Sequence, residues 1–202
     1  MRKIIPDNIK KNVVKALSYY PELKNTSISF KIKKNIKKST MQAQPTWDFL
    51  WKSRKNRSYV ILISNTFKIE GQEFNTLDIP SEVFIGWIGH ELGHIMDYER
   101  RSKLSLILFG INYLISSKSI KEAERTADTF AVSHGMATYI LATKDFILNN
   151  ASIAQDYKAR IIKYYLSPEE IMELVEEKKV DLQLYLEGEV IHLFQSVLRL
   201  QF

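Results

Sequence analysis

Two periods of apolar residues run along the chain, and one gives way to the other near residue 80. From Pro6 to Tyr20, Ile9, Val13, Val14, Ala16 and Leu17 recur at helical spacing and Pro21 ends the run, which predicts a first helix. Ser27 to Lys33, SISFKIK, alternates apolar and polar residues, as a half-buried strand does with Ile28, Phe30 and Ile32 inward. Residues 34 to 57 are polar and basic, with aromatics at Trp47, Phe49 and Trp51; a loop and a ragged helix fit them equally well. Ser58 to Ser64, SYVILIS, is a β-branched run and reads as a strand. Asn65 to Ile79 holds Gly71 and polar turn residues, and reads as a connection with room for a short strand.

From Pro80 the spacing is helical. A long helix is expected to about Arg100 with Ser81 as its cap, and a second from Ser119 to about Gly135, with Ser119 as cap and Gly135 as stop. Met136 to Leu148 and Ser152 to Leu166 read as further helices. Ser167-Pro168-Glu169-Glu170 opens another, with a cap, a proline at the first helical position and acids in the first turn. The last twenty residues are apolar and fit helix or strand. Between the two strongest helices lies Leu104 to Ile115, LSLILFGINYLI, far short of the roughly 20 apolar residues a bilayer span needs. It reads as a buried segment, with a membrane-surface segment or a flap over a cleft as alternatives. These elements predict an α+β fold. No repeat, low-complexity stretch or linker divides the chain, so residues 1–202 are expected to form one domain.

Composition narrows the chemistry. The 202 residues are 45% hydrophobic and 26% charged, a globular balance long enough for a real core. Cys is 0, which excludes disulfides, thiolate metal sites and a cysteine nucleophile. That absence suits a reducing compartment, and Met1 to Tyr20 shows no leader-like apolar core, so a cytoplasmic location, at most peripheral to a membrane, is expected. The net charge of +6 is unevenly spread. Residues 1–60 hold 15 Lys and Arg against 3 Asp and Glu, and the remainder holds 14 against 20. The basic N-terminal region reads as a solvated face, or as a surface for an anionic partner such as nucleic acid or a membrane.

The sharpest signal is Gly89-His90-Glu91-Leu92-Gly93-His94, inside the helix that starts near Pro80. Two histidines four apart on a helix present both imidazoles on one face, where they can hold one Zn²⁺ at about 2.0–2.1 Å. Glu91 flanks that face and can reach a water on the metal, the general-base position of zinc peptidases. Phe84, Ile85, Ile88, Leu92, Ile95 and Met96 give the helix an apolar face, and Gly86, Gly89 and Gly93 imply a close neighbour. A zinc site needs a third protein ligand, and Glu122-Ala-Glu124-Arg-Thr-Ala-Asp128 offers one. Glu124 and Asp128 share a helix face, so one can bind metal while the other accepts an imidazole N–H; Glu122 lies on a different face from Asp128.

His-Glu-Leu-Gly-His followed by Glu-x-x-Ala-Asp resembles the gluzincin metallopeptidases, in particular the M48 family of Ste24- and HtpX-type proteases. The resemblance implies a zincin-like fold, with a small sheet beside the active-site helix. It implies His90, His94 and Glu124 as zinc ligands, Glu91 as general base and Asp128 as the group that orients a histidine. Phe130-Ala131 and Gly135 fit the family's continuation. A downstream family element, His-Pro then Arg-Ile, is matched only in its second half by Arg160-Ile161; six places before Arg160 stands Ala154. Arg160 is then the implied stabiliser of an oxyanion, helped by a hydroxyl such as that of Tyr157. By the same resemblance, the strand from Tyr59 to Ser64 is the sheet edge that pairs with extended substrate.

The likeness spans residues 58–166, as a minimal form without the family's membrane spans, and leaves the basic region 1–57 and the tail 167–202 unmatched. It implies a zinc-dependent endopeptidase acting on a peptide or protein substrate. Two alternatives stand beside it: a regulatory protease similar to the ImmA/IrrE-like proteins, cutting one repressor or antitoxin, and a non-catalytic domain stabilised by zinc. Three polar residues fall outside the set: His134 reads as capping or core, His192 as an ordinary histidine in an apolar tail, and Asp97 as a solvated helix acid.

Overall fold

The computed structural model describes residues 2–34, 36, 40–69, 72–149, 153 and 155–199, with side chains throughout except at 67–69, 72–74, 77 and 187–199. The expected α+β character holds. A four-stranded sheet is built from β1 (Lys3–Ile4), β2 (Ser27–Lys33), β3 (Met41–Pro45) and β4 (Ser58–Ser64), in the order β1-β2-β4-β3. The first three of these neighbours run parallel, and β3 closes the sheet antiparallel to β4, with Ala43 opposite Ile61. β5 (Thr66–Ile69) and β6 (Gln72–Asn75) form a separate hairpin in the expected connection; Gly71 lies outside the described residues.

The strand readings of β2 and β4 match residue for residue, but β4 is not an edge. It lies between β2 and β3, and Tyr59 to Ser64 are buried throughout, as a strand covered on both faces must be. The edge is β3, inside the stretch that read as loop or ragged helix. Its outward backbone groups are engaged: Ala43 N–H donates to Glu91, and Ala43 O accepts from the Tyr98 hydroxyl.

Among the described residues there are seven α-helices: α1 (Lys10–Leu17), α2 (Ser81–Arg100), α3 (Lys103–Ile115), α4 (Ser117–Ser133), α5 (Ala137–Asn149), α6 (Gln155–Tyr164) and α7 (Pro168–Arg199). The first helix is shorter than its pattern. Pro6 to Ile9 make a 3-10 turn before it, and Val14 is half-exposed while Val13 and Ala16 are buried. Two caps also shift. Pro80, with no side-chain bond, precedes α2, and Ser116 caps α4 by accepting from Ser119 N–H. Gly135 ends α4 at φ 84°, as expected of a residue free to enter the left-handed region. The predicted box at α7 is present: Ser167 accepts from Glu170 N–H, and the Glu170 carboxylate accepts from Ser167 N–H.

α2 is the centre of the molecule. Its sequence predicts one apolar face, yet every residue from Val83 to Met96 is buried. The helix packs on α1 and β3 and also on α4 and α5, on faces its polar residues would otherwise give to water. Glycine permits this. A Cβ on Gly93 would sit 3.0 Å from Ala127 Cα of α4, and one on Gly86 2.9 Å from the Tyr139 carbonyl carbon of α5. Tyr20 completes the clamp by donating its hydroxyl to Gly89 O at 2.6 Å, one residue before His90.

The Leu104 to Ile115 segment is the helix α3, and it is not buried. Leu106 alone on it is buried; Phe109 and Tyr113 are half-covered, and the remaining large apolar side chains face outward. No helix among the described residues is long and apolar enough to cross a membrane.

Candidate metal centre

The close approach of α2 and α4 at Gly93 and Ala127 sets two pairs of side chains against each other. His90 and His94 lie one turn apart on α2, with ring centroids 4.7 Å apart. Glu124 and Asp128 lie one turn apart on α4 and face them. Glu124 Oε2 is 3.0 Å from His90 Nε2 and 3.3 Å from His94 Nε2. One ligand atom from each of these three residues falls within 4.8 Å of the others, and all three residues are buried. Asp128 Oδ1 lies 2.8 Å from His90 Nδ1. Glu122, the rival acid, points outward towards Lys118.

The hydrogen bonds around His90 bear on what this cluster holds. Asp128 can only accept, so His90 Nδ1 donates to it. A neutral imidazole then turns its Nε2 lone pair on the Glu124 carboxylate, and two acceptors cannot share 3.0 Å without a positive centre between them. A proton fills that need in the bare protein. Burial works against the imidazolium, but Asp128 and Glu124 outweigh it and raise the His90 pKa to about 10. A divalent cation would satisfy the same lone pairs together with those of His94 Nε2 and Glu124. The two-nitrogen, one-carboxylate donor set is one that can hold a divalent metal ion.

Both acids of the cluster have further partners. Burial opposes the Asp128 carboxylate, yet the Lys144 ammonium and His90 hold it ionised below its usual range. Lys144 Nζ donates to Asp128 Oδ2 at 2.8 Å, and Leu166 N–H reaches the same oxygen at 3.1 Å. Glu124 likewise stays ionised despite burial, through both imidazoles. Its other oxygen accepts from the Tyr113 hydroxyl of α3 at 2.5 Å and lies 3.9 Å from Arg160 Nη2 of α6. His94 differs: its Nδ1 is buried with no hydrogen-bond partner among the described residues, and its ring stacks on Tyr98.

Glu91 follows His90 but turns towards the sheet, where Oε2 accepts the Ala43 N–H of β3 at 2.5 Å. Burial pushes its pKa up. A cavity of about 40 Å³ adjoins it, lined by Thr40, His90, Glu91, Tyr157 and Tyr165 among others. The Tyr157 hydroxyl lies 3.3 Å from Thr40 Oγ1, and the Tyr165 ring is 5.2 Å from that of His90.

The structure therefore brings together all six residues singled out from the sequence: His90, Glu91, His94, Glu124, Asp128 and Arg160. It adds Lys144, Tyr113 and Tyr165, which the sequence reading passed over. Lys144 carried a signal, because it shares a helical stripe with buried Ile140 and Ile147, where a lysine needs a buried partner. Two other polar residues are placed as well. His134 caps the end of α4, with Nδ1 on Phe130 O at 2.7 Å, and stacks on Tyr20. Asp97 pairs with Arg101 at 2.8 Å instead of standing free in solvent. The side chain of His192 lies outside the described residues, as does Ala154.

The basic N-terminal region is partly committed to the fold. Arg57 is buried and donates to Arg101 O at 2.8 Å and Tyr98 O at 3.2 Å; Lys3 donates to Leu23 O at 2.6 Å. Compared with models of known protein families, with curated proteins and with solved structures, the chain finds no match.

Proposed function

We propose that the protein is a zinc-dependent peptidase of the gluzincin type, with His90, His94 and Glu124 as ligands and Glu91 as general base. The observation that carries this reading is the convergence of three ligand atoms from two helices within 4.8 Å, beside a further buried carboxyl group, Glu91. Bound zinc would supply Lewis acidity to a water and to the scissile carbonyl. Asp128, held by Lys144, fixes His90 with Nδ1 protonated and Nε2 free to ligate. Glu91 takes the water's proton and delivers it to the leaving amine, and its burial-raised pKa suits a group that must both accept and release one. Arg160 brings positive charge to the far side of Glu124, where it can face a developing oxyanion.

The test compares wild type, Glu124→Ala and Glu91→Gln for zinc content and for cleavage of a peptide library. Wild type should bind about one zinc and cleave, Glu124→Ala should lose zinc affinity, and Glu91→Gln should keep zinc and lose activity. Cleavage by Glu91→Gln at the wild-type rate refutes the mechanism. A second reading, a metal-stabilised domain without catalysis, is favoured by the burial of all three ligands and the small adjoining cavity. It predicts a zinc-dependent melting temperature in both wild type and Glu91→Gln, with no cleavage by either.

A further inference from the structure

We propose that α3, together with the turn that carries Trp47 and Trp51, is a docking surface for an anionic lipid bilayer. The inference is independent of the metal centre's chemistry. At about 100° per residue, α3 carries two apolar stripes on opposite sides. Leu106, Phe109 and Tyr113 face the protein, and Tyr113 reaches Glu124. Leu104, Ile107, Leu108, Ile111, Leu114 and Ile115 occupy an arc of about 120° on the opposite side and are all exposed, Leu114 at 83% and Ile115 at 77%. An ordinary surface helix puts polar residues there. Solvent leaves this stripe's cost unrelieved, so the stripe has an apolar partner in use.

The neighbouring turn extends the surface. Trp47 is 87% exposed and Trp51 80%, and the turn is tied to the start of α3, where Lys103 Nζ donates to Leu50 O at 2.9 Å. Tryptophan beside lysine and arginine suits the headgroup layer, where an indole is half wet and half apolar.

Charge selects the partner. From residue 100 to residue 121 the chain has five basic residues, Arg100, Arg101, Lys103, Lys118 and Lys121, and no acid, and of the five Arg101 is paired with a preceding acid, Asp97. The turn adds Lys52, Arg54 and Lys55 against Asp48. An apolar ridge in a basic rim complements a bilayer with negative headgroups and an apolar interior. At 13 residues α3 is about 20 Å long, too short to span and suited to lie in the interface.

The experiment is co-sedimentation of the full chain with vesicles of phosphatidylcholine alone or of an equimolar mixture with phosphatidylglycerol, with tryptophan emission followed in parallel. Wild type should bind the anionic vesicles, less so as salt rises, and its emission should shift to the blue as Trp47 and Trp51 leave water. The double variant Ile111→Gln/Leu114→Gln changes only exposed positions, and its circular dichroism and melting should match wild type. It should bind about tenfold or more weakly. Equal binding by the double variant, or no binding to anionic vesicles at low salt, overturns the proposal. So does a wild-type dimer that the double variant abolishes while neither protein binds vesicles, because a second copy would then be the partner.

Discussion

Replacing Gly93 by alanine puts the packing argument under the most direct strain. The new Cβ would stand 3.0 Å from both Cα and carbonyl carbon of Ala127 and closer still to its carbonyl oxygen. Carbon atoms at rest lie about 3.5–4.0 Å apart, and the obstacle is α4 backbone, which has no rotamer to swing away. The two helices must therefore part by roughly 0.5–1 Å, an overpacking that costs about 1–3 kcal/mol. Alanine's better helix propensity returns about 1 kcal/mol, so the net effect should be a loss of up to about 2 kcal/mol, in place of the gain an unobstructed site would show. The same parting separates His90 and His94 from Glu124, so zinc affinity should fall about tenfold, a loss of about 1.4 kcal/mol. Urea unfolding followed by circular dichroism and competition with a chromophoric zinc chelator measure the two effects. Gly110→Ala is the control. Beyond its own helix, no atom of the described residues lies within 4 Å of its added Cβ, so it should gain about 0.5–1 kcal/mol and leave zinc binding alone. A Gly93→Ala protein that gains stability like the control and binds zinc as wild type refutes the claim that this contact sets the site.

Two further substitutions probe charges rather than spacing. Lys144→Met should leave the buried Asp128 carboxylate without its cation, lower stability by about 3 kcal/mol and weaken zinc binding roughly 10- to 100-fold; isothermal titration and melting curves check both. Glu170→Gln keeps the α7 cap but removes the bidentate ion pair with Arg125, whose donation, with that of Ser167 N–H, lowers the Glu170 pKa from 4.5 to about 2. A lowered folded-state pKa stabilises above the unfolded value. The wild-type advantage, about 1 kcal/mol or less for so exposed a pair, should hold above about pH 4.5 and vanish as pH falls towards 2, as melting at stepped pH will read.

The parts legible in the sequence were those written in local spacing. His90 and His94, and then Glu124 and Asp128, each lie four apart on one helix, so a single period reveals each pair. β2 and β4 show in the same way, one by alternation and one by an unbroken β-branched run. β3 stayed hidden because Met41-Gln-Ala-Gln-Pro has no β-branched residue, and an edge strand needs none. Its role comes from Ala43 N–H and C=O, backbone groups that no side-chain pattern marks. Tyr113, Lys144 and Tyr165 belong to three separate segments and meet only through tertiary packing. The exposure of α3 was missed for another reason: an apolar run looks alike whether it packs inward or faces a partner outward.

The energetic character of the cluster strengthens the metal reading more than the motif alone does. His90, Glu91, His94, Glu124 and Asp128 of α2 and α4, and Lys144 of α5, are all buried. Taking so many ionisable groups out of water costs several kcal/mol per charge, and an apolar replacement of similar volume would often serve stability better. Lys144 balances Asp128, and the Arg160 cation stands 3.9 Å from Glu124. Glu124 still faces two imidazoles, each able to turn a lone pair towards the same oxygen, and only a proton or a cation reconciles them. A proton needs one histidine. Two histidines converging on one carboxylate oxygen match the three-residue donor set of a metal ion, and so carry the metal reading further than the spacing of the motif does.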